Sequence, residues 1–200
     1  TSGIDAIAML DRDRVLAIDA RGHARLLDRG GVLADLVVPA RIRMLRPSSD
    51  GHAVLAVPNY EGPAAPAPLI DLDRTAVIAT LVAPPIFSAR WVDGGRALLT
   101  AHADGSARLW DADGTLRRTF HGGTQYLADA DADGAIVFGG SGDGTLRFWD
   151  VESGRQLWST PAHTAHVVGI RIDSSDVVTR GSDGSISRWI LSAARVDEAR

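Results

Sequence analysis

The sequence predicts an all-β fold, a β-propeller of four-stranded antiparallel blades with five blades in the 200 residues, and three observations lead there. The same kind of strand ending recurs as LLD at 26–28, LID at 69–71, LWD at 109–111, FWD at 148–150 and RWI at 188–190, in steps of 43, 40, 39 and 40 residues. A period near 40 belongs to propeller blades. Each unit also carries short β-prone runs split by a Gly-containing turn, the pattern of antiparallel hairpins. Finally, no linker interrupts the period, so no domain boundary is expected within the chain.

The blades are expected at about 1–38, 39–82, 83–120, 121–160 and 161–191, followed by a tail at 192–200. In blade 1, VLAIDARGHARLLD at 15–28 gives two strands and a turn, with VLADLVV at 32–38 next. Blade 2 pairs HAVLAVP at 52–58 with APLIDLD at 67–73 across NYEGPAAPA, a Pro-rich loop about four residues longer than its counterparts. Loops tolerate such insertions and often carry function. Blade 3 reads PIFSARWV, RALLTAH, SARLWDA and TLRRTF, one run for each of four strands. Blade 4 reads TQYLADA at 124–130, the hairpin AIVFGGSGDGTLRFWD at 135–150 and GRQLWST at 154–160. Blade 5 has HVVGIRI, DVVTRGS and SISRWIL but no fourth run, and the Ala, Arg and Glu of SAARVDEAR favour a short helix in the tail.

Composition narrows the function classes. The net charge is −4 and the basic residues are scattered along the chain, with Arg117 and Arg118 adjacent, which gives no electrostatic footprint for nucleic acid. All 21 basic residues are arginine, a bias expected of a GC-rich, bacterial coding sequence. Cysteine is absent, so there are no disulfides and no thiolate metal sites. The first thirty residues lack the charged start and apolar core of a signal peptide, and no apolar run is long enough to span a bilayer. A soluble, cytoplasmic protein is expected, without membrane or nucleic-acid partners. The start at Thr1 fits a processed product or one part of a longer protein.

In ADGSARLWD, GDGTLRFWD and SDGSISRWI, blades 3 to 5 resemble the Asp-Gly-x-x-x-x-Trp-Asp ending of WD-repeat proteins. The resemblance covers the whole chain by period and residues 84–191 by motif. It implies a hydrogen-bonded network in each blade, made of a His before the inner strand, a Ser or Thr in the second strand, the turn Asp and the third-strand Trp. The full set is His163, Thr179, Asp183 and Trp189 in blade 5. Blade 3 keeps Thr100, Asp104 and Trp110, with Pro84 near the His position. Blade 4 keeps Asp143 and Trp149, with His121 two residues out of register and Gly139 in place of the hydroxyl. Blades 1 and 2 have Leu27 and Ile70 for Trp and Arg21 and Ala64 for the turn Asp, so apolar packing must hold them. A turn carboxylate can accept several backbone N–H groups, and losing one buried partner costs about 1–3 kcal/mol.

Two chemical readings compete with this structural one. His163, Thr179 and Asp183 combine base, hydroxyl and carboxylate, but a nucleophile must be exposed beside an oxyanion site. The buried network is the plainer role, and no catalytic residue or cofactor is expected. DADADG at 129–134 places Asp129, Asp131 and Asp133 like the start of a calcium loop. The ninth and twelfth positions are Val137 and Gly140, however, so the loop fails and a turn at Asp133-Gly134 is expected instead.

These readings imply a non-enzymatic protein–protein interaction platform, a scaffold or sensor module of a larger protein or assembly. The alternative is a propeller enzyme or calcium-binding receptor that uses a central funnel. Tyr60 and Glu61 on the Pro-rich loop, His102, Arg180 and His166 are the candidates for partner contact, each with a solvated surface role as the plainer reading. Rings of this resemblance usually hold about seven blades. Companion blades from the same parent protein or a second chain are therefore expected to complete the ring.

Overall fold

The computed structural model describes residues 3–38, 41–59, 65–173 and 176–190. The expected tail helix at 192–200 lies outside them. The first sheet contains β1 (Ile4–Met9), β2 (Val15–Asp19), β3 (His23–Asp28) and β4 (Gly31–Val37). The second holds β5 (Ile42–Pro47), β6 (Ala53–Pro58), β7 (Ala67–Asp71) and β8 (Ala76–Leu81). The third follows with β9 (Ile86–Val92), β10 (Ala97–His102), β11 (Ala107–Asp111) and β12 (Leu116–Phe120). The fourth is β13 (Leu127–Asp133), β14 (Ile136–Ser141), β15 (Thr145–Asp150) and β16 (Gln156–Pro161). Among the described residues the fifth has three strands, β17 (Val167–Asp173), β18 (Asp176–Gly181) and β19 (Ile186–Ile190). Every sheet is antiparallel in chain order, and the third strands end at 28, 71, 111, 150 and 190, on the periodic endings of the sequence.

Those endings have a local cause. The Asp that closes the third strand turns back on the chain: Asp28 accepts the N–H groups of Gly30 and Gly31, Asp71 those of Asp73 and Arg74, and Asp150 that of Ser153. The carboxylate so forms an Asx turn that starts the outer strand. Inner strands share a second device. Each of the five skips one residue near its start, at Asp5, Arg43, Phe87, Ala128 and Val168. A bulge of this kind increases twist and re-aims the side chain it carries.

Contacts gather into two compact units, although the unbroken period marks no division. One comprises residues 1–85 with 94–96 and 111–115, the other 86–93, 97–110 and 116–200. In the first unit the core is apolar, with Leu16, Ile18, Ala24, Leu26 and Val38 of the first sheet against Ile42, Leu45, Val54, Ala56 and Ile70 of the second. In the second unit, Leu99, Ala107, Leu109 and Phe120 of the third sheet pack with Leu127, Ala130, Val137 and Trp149 of the fourth. The opposite face of the fourth sheet, with Phe138, Leu146 and Phe148, meets Val167, Ile170 and Val177 of the fifth.

Strand β13 starts three residues later than the run read at 124–130, and this displaces the acidic segment. Asp129, Asp131 and Asp133 alternate along the strand, and the turn falls at Gly134-Ala135. They form no calcium loop. Among the described residues, no group of three or more His, Cys, Asp or Glu side chains is arranged to hold a metal ion.

Candidate functional site

The fifth sheet carries a directional hydrogen-bond relay. Trp189 Nε1 donates to Thr179 Oγ1 at 3.0 Å, and that hydroxyl lies 2.9 Å from His163 Nε2. On the other side of the ring, His163 Nδ1 is 2.6 Å from Ser185 Oγ, which donates to Asp183 Oδ1 at 2.5 Å. Ser185 has one hydroxyl proton and spends it on the carboxylate, so Nδ1 carries the imidazole proton and Nε2 accepts from Thr179. The expectation of a wholly buried set needs correcting. Asp183 lies at the surface, 3.9 Å from His163 Nδ1, and the two are joined through Ser185. The hydroxyl and N–H of Ser185 and those of Thr164 all point at this carboxylate and hold its pKa well below the usual range.

The third sheet reaches the same result from different residues. Trp110 Nε1 donates to buried Thr100 Oγ1 at 2.8 Å, and His102 Nε2 lies 2.7 Å from that oxygen. His102 is thus fully buried in the network and does not belong to an exposed face. It stands at the end of the second strand and supplies the imidazole that Pro84 cannot. In the fourth sheet there is no hydroxyl to receive the indole. A Cβ at Gly139 would lie 2.7 Å from the ring of Trp149, and Trp149 Nε1 donates to the His121 carbonyl at 2.8 Å instead.

Turn carboxylates in these two sheets also bind an arginine four residues on, in the third strand. Arg108 reaches Asp104 at 2.9 Å, and Arg147 reaches Asp143 with both terminal nitrogens, at 3.2 and 2.6 Å. Burial would raise the Asp143 carboxyl, but Arg147 and Thr145 outweigh it and hold it far below the ordinary range. Neither the arginines nor the hydroxyls of Ser106 and Ser185 were given a role from sequence. The Asp-Gly-Ser and Asp-x-x-x-Arg spacings are the signals that mark them.

Arg90 ties the inner strands of the second unit together. Its Nε donates to the Ala130 carbonyl at 3.2 Å and its Nη2 to the Ile170 carbonyl at 3.2 Å, so one side chain on β9 reaches β13 and β17. Asp129 and Asp131 lie 3.4 Å from the same guanidinium, and Asp129 also accepts the Ile170 N–H at 2.9 Å. Burial pushes the Asp131 carboxyl up against the opposing pull of Arg90. Two of the three carboxylates weighed as a calcium loop, Asp129 and Asp131, are therefore engaged with an arginine.

Beside the turns, at the starts of the inner strands, aromatic rings form a row across the three sheets. Phe87 and Tyr126 have centroids 5.0 Å apart, and Tyr126 and His166 5.8 Å apart. His166 is exposed, with Nδ1 donating to the Gly142 carbonyl, while Phe87 and Tyr126 are half-buried. Phe87 is the residue skipped at its bulge. Arg180 is exposed one residue before the end of β18, and Tyr60 and Glu61 lie outside the described residues.

Residues 76–111 and 114–150 each match the family model of the WD domain, G-beta repeat. Two stretches of the chain match this repeat. Each matched stretch begins at an outer strand, β8 or β12, and ends with the third strand of the next sheet. In solved structures, the C-terminal WD40 domain of Sif2 superimposes with a TM-score of 0.73 at 20% identity, covering 94% of this chain and 55% of that one. This establishes a β-propeller fold. Among curated proteins, cilia- and flagella-associated protein 52 of Chlamydomonas reinhardtii is 31% identical over 98 residues, 46% of this chain and 16% of that protein. CCR4-associated factor 4 homolog of Candida glabrata is 27% identical over 139 residues, 54% of this chain and 24% of its own length. COMPASS component SWD3 of Saccharomyces cerevisiae is 29% identical over 126 residues, with 59% and 40% covered. The chain thus spans well under half of each of these relatives. All three are eukaryotic, and the bacterial origin inferred from arginine usage finds no support in them. No helix among the described residues is long and apolar enough to cross a membrane.

The WD network makes a graded prediction. Asp183 accepts four hydrogen bonds, two from Ser185 in its own turn and two from Thr164 that tie the turn to the segment before β17, whereas Asp113 accepts the Thr115 N–H of its own turn. Asp183→Ala is expected to lower the melting temperature more than Asp113→Ala. Equal thermal shifts in the two variants would refute the assignment.

Proposed function

We propose that this chain is a non-enzymatic protein-interaction platform, a scaffold or sensor module within a larger protein or assembly. Its contact face is formed by the turns between second and third strands and by the starts of the inner strands. The row of Phe87, Tyr126 and His166 carries this reading. Half-buried rings offer large apolar area with little side-chain entropy to lose, and such residues dominate protein interfaces. Turns braced by Arg108 on Asp104 and Arg147 on Asp143 hold the surrounding backbone in place. Two of the similar proteins bear the names of an associated factor and of a complex component, which agrees with a role in assemblies.

The test starts with partners cross-linked to the chain in its own cells, followed by calorimetry with each purified partner. Tyr126→Ala removes the middle ring of the row and is expected to weaken binding by about 1–2 kcal/mol, roughly five- to thirtyfold. Trp158→Ala, on an outer strand, serves as the control and should leave affinity unchanged. Unaltered affinity in Tyr126→Ala would remove the basis of this reading.

A further inference from the structure

We propose that β8 is a self-association edge, whose outer side pairs antiparallel with β8 of a second copy of this chain about a two-fold axis at Thr80. Backbone direction along β7 fixes what β8 presents. The Leu72 N–H bonds the His52 carbonyl, so by alternation the backbone groups of Leu72, Ile70 and Pro68 face β6 and those of Leu69 and Ala67 face β8. Leu69 pairs with Ala79, and Pro68 with Thr80. Thr80 therefore turns its N–H and C=O away from β7, on the last strand of a sheet ordered β5, β6, β7, β8. Such an edge is a template for another strand.

Among the described residues the outer strands are β4, β8, β12 and β16, and they share one defence against such pairing. Each skips a residue of its own, at Leu33, Ile78, Arg117 and Leu157, and a bulge of this kind bends an edge away from a partner. Three of them carry a second defence. The register position of Thr80 recurs as Asp35, Thr119 and Ser159, opposite Arg25, Arg108 and Arg147. On β4 that residue is itself charged, and on β12 Arg117 and Arg118 precede it. On β16, Pro161 follows on the same outward side and has no N–H to offer. The β8 edge lacks all three guards. No charged residue occurs from Thr75 to Ala89, and Val82 stands at the position of Pro161 with its N–H intact.

What fits this edge is the edge itself. Pairing about Thr80 makes every contact twice and brings no like charges together, whereas Arg117 and Arg118 of β12 would oppose their own copies. It also sets Val82 beside Ile78 of the second copy. Val82 is 82% exposed, more than any other large apolar side chain among the described residues, and Ile78 is 39% exposed. Cross-strand pairs of β-branched residues are among those that stabilise a sheet. The strand belongs to the first unit and Tyr126 to the second, so the pairing does not depend on the contact face proposed above.

The absence of native cysteine allows a direct test in the full polypeptide. Thr80→Cys and Ser159→Cys, both at exposed sites of the same register, are oxidised under mild conditions, while light scattering follows the mass of the native sequence through a dilution series. Residues opposed in such a pair lie within disulfide reach. Thr80→Cys is therefore expected to form covalent dimers at least about tenfold faster than Ser159→Cys, as sites already assembled do. The native sequence should pass from dimer to monomer on dilution. Val82→Lys changes only an exposed side chain and is expected to weaken the dimer at least about tenfold, and Thr80→Pro, which removes the outward N–H, should abolish it with circular dichroism unchanged. Equal rates for the two cysteine variants overturn the proposal. So does a dimer that withstands Val82→Lys, because its contact then lies elsewhere, and so does the mass of one chain at every concentration, which leaves the edge to a strand of another protein or to water.

Discussion

Trp149→Ala is expected to destabilise the protein by about 3–5 kcal/mol, the range for deleting a fully buried aromatic side chain. Trp149 is completely buried, stands 6.3 Å from Phe120 and fills the space left by Gly139. Its removal opens a cavity between the third and fourth sheets and leaves the His121 carbonyl without its donor. Trp158→Ala is the contrast, because Trp158 is partly exposed and stacks on Phe148 along one side. Urea unfolding followed by circular dichroism measures both. A midpoint for Trp149→Ala equal to that of Trp158→Ala would show that the buried indole is not what joins these sheets.

Arg90→Met should cost about 2–3 kcal/mol at neutral pH, somewhat less than breaking a fully buried ion pair because Arg90 keeps some contact with water. The variant leaves Asp129 and Asp131 facing each other without their cation. The sign of the pH effect follows from Asp131. Its folded pKa is raised, so the unfavourable contribution is absent when the carboxyl is protonated and grows as pH rises through the folded value. Removing Arg90 raises that pKa further. The deficit relative to the native sequence should therefore shrink as falling pH protonates Asp131 and widen toward about pH 7. Melting curves across that range decide the matter, and a deficit independent of pH would show that Arg90 acts through its carbonyl contacts alone.

How far the sequence could be read depended on the reach of each interaction. The Asp endings at 28, 71 and 150 were legible because each carboxylate acts within three residues of itself. Trp110 and Trp189 were legible as network members because their hydroxyl partners lie ten residues away, a fixed hairpin distance. His102 was misplaced because a residue at the end of a strand can turn inward or outward, and only the missing imidazole at Pro84 decides which. The bonds of Arg90 run to residues 40 and 80 positions away, so nothing local announces them. The engagement of Asp129 and Asp131 was hidden for the same reason: alternate carboxylates look alike on a loop or along a strand until their cation is found. Phe87 and Tyr126 escaped as a pair because their contact joins separate sheets.

The staggered boundaries of the matched repeats bear on how such a chain changes over evolutionary time. A stretch like 76–111 gives its first strand to one sheet and its last three to the next. If the gene lost that stretch, β12 would inherit the place of β8 beside β7, and every remaining sheet would keep its strand count. Duplication would act in the same way in reverse. Unequal recombination can thus vary the number of sheets without creating a broken one, while the new junction alone must be repacked. Selection then falls on the seams, where close approaches such as that of Gly140 to Val167 must be fitted anew.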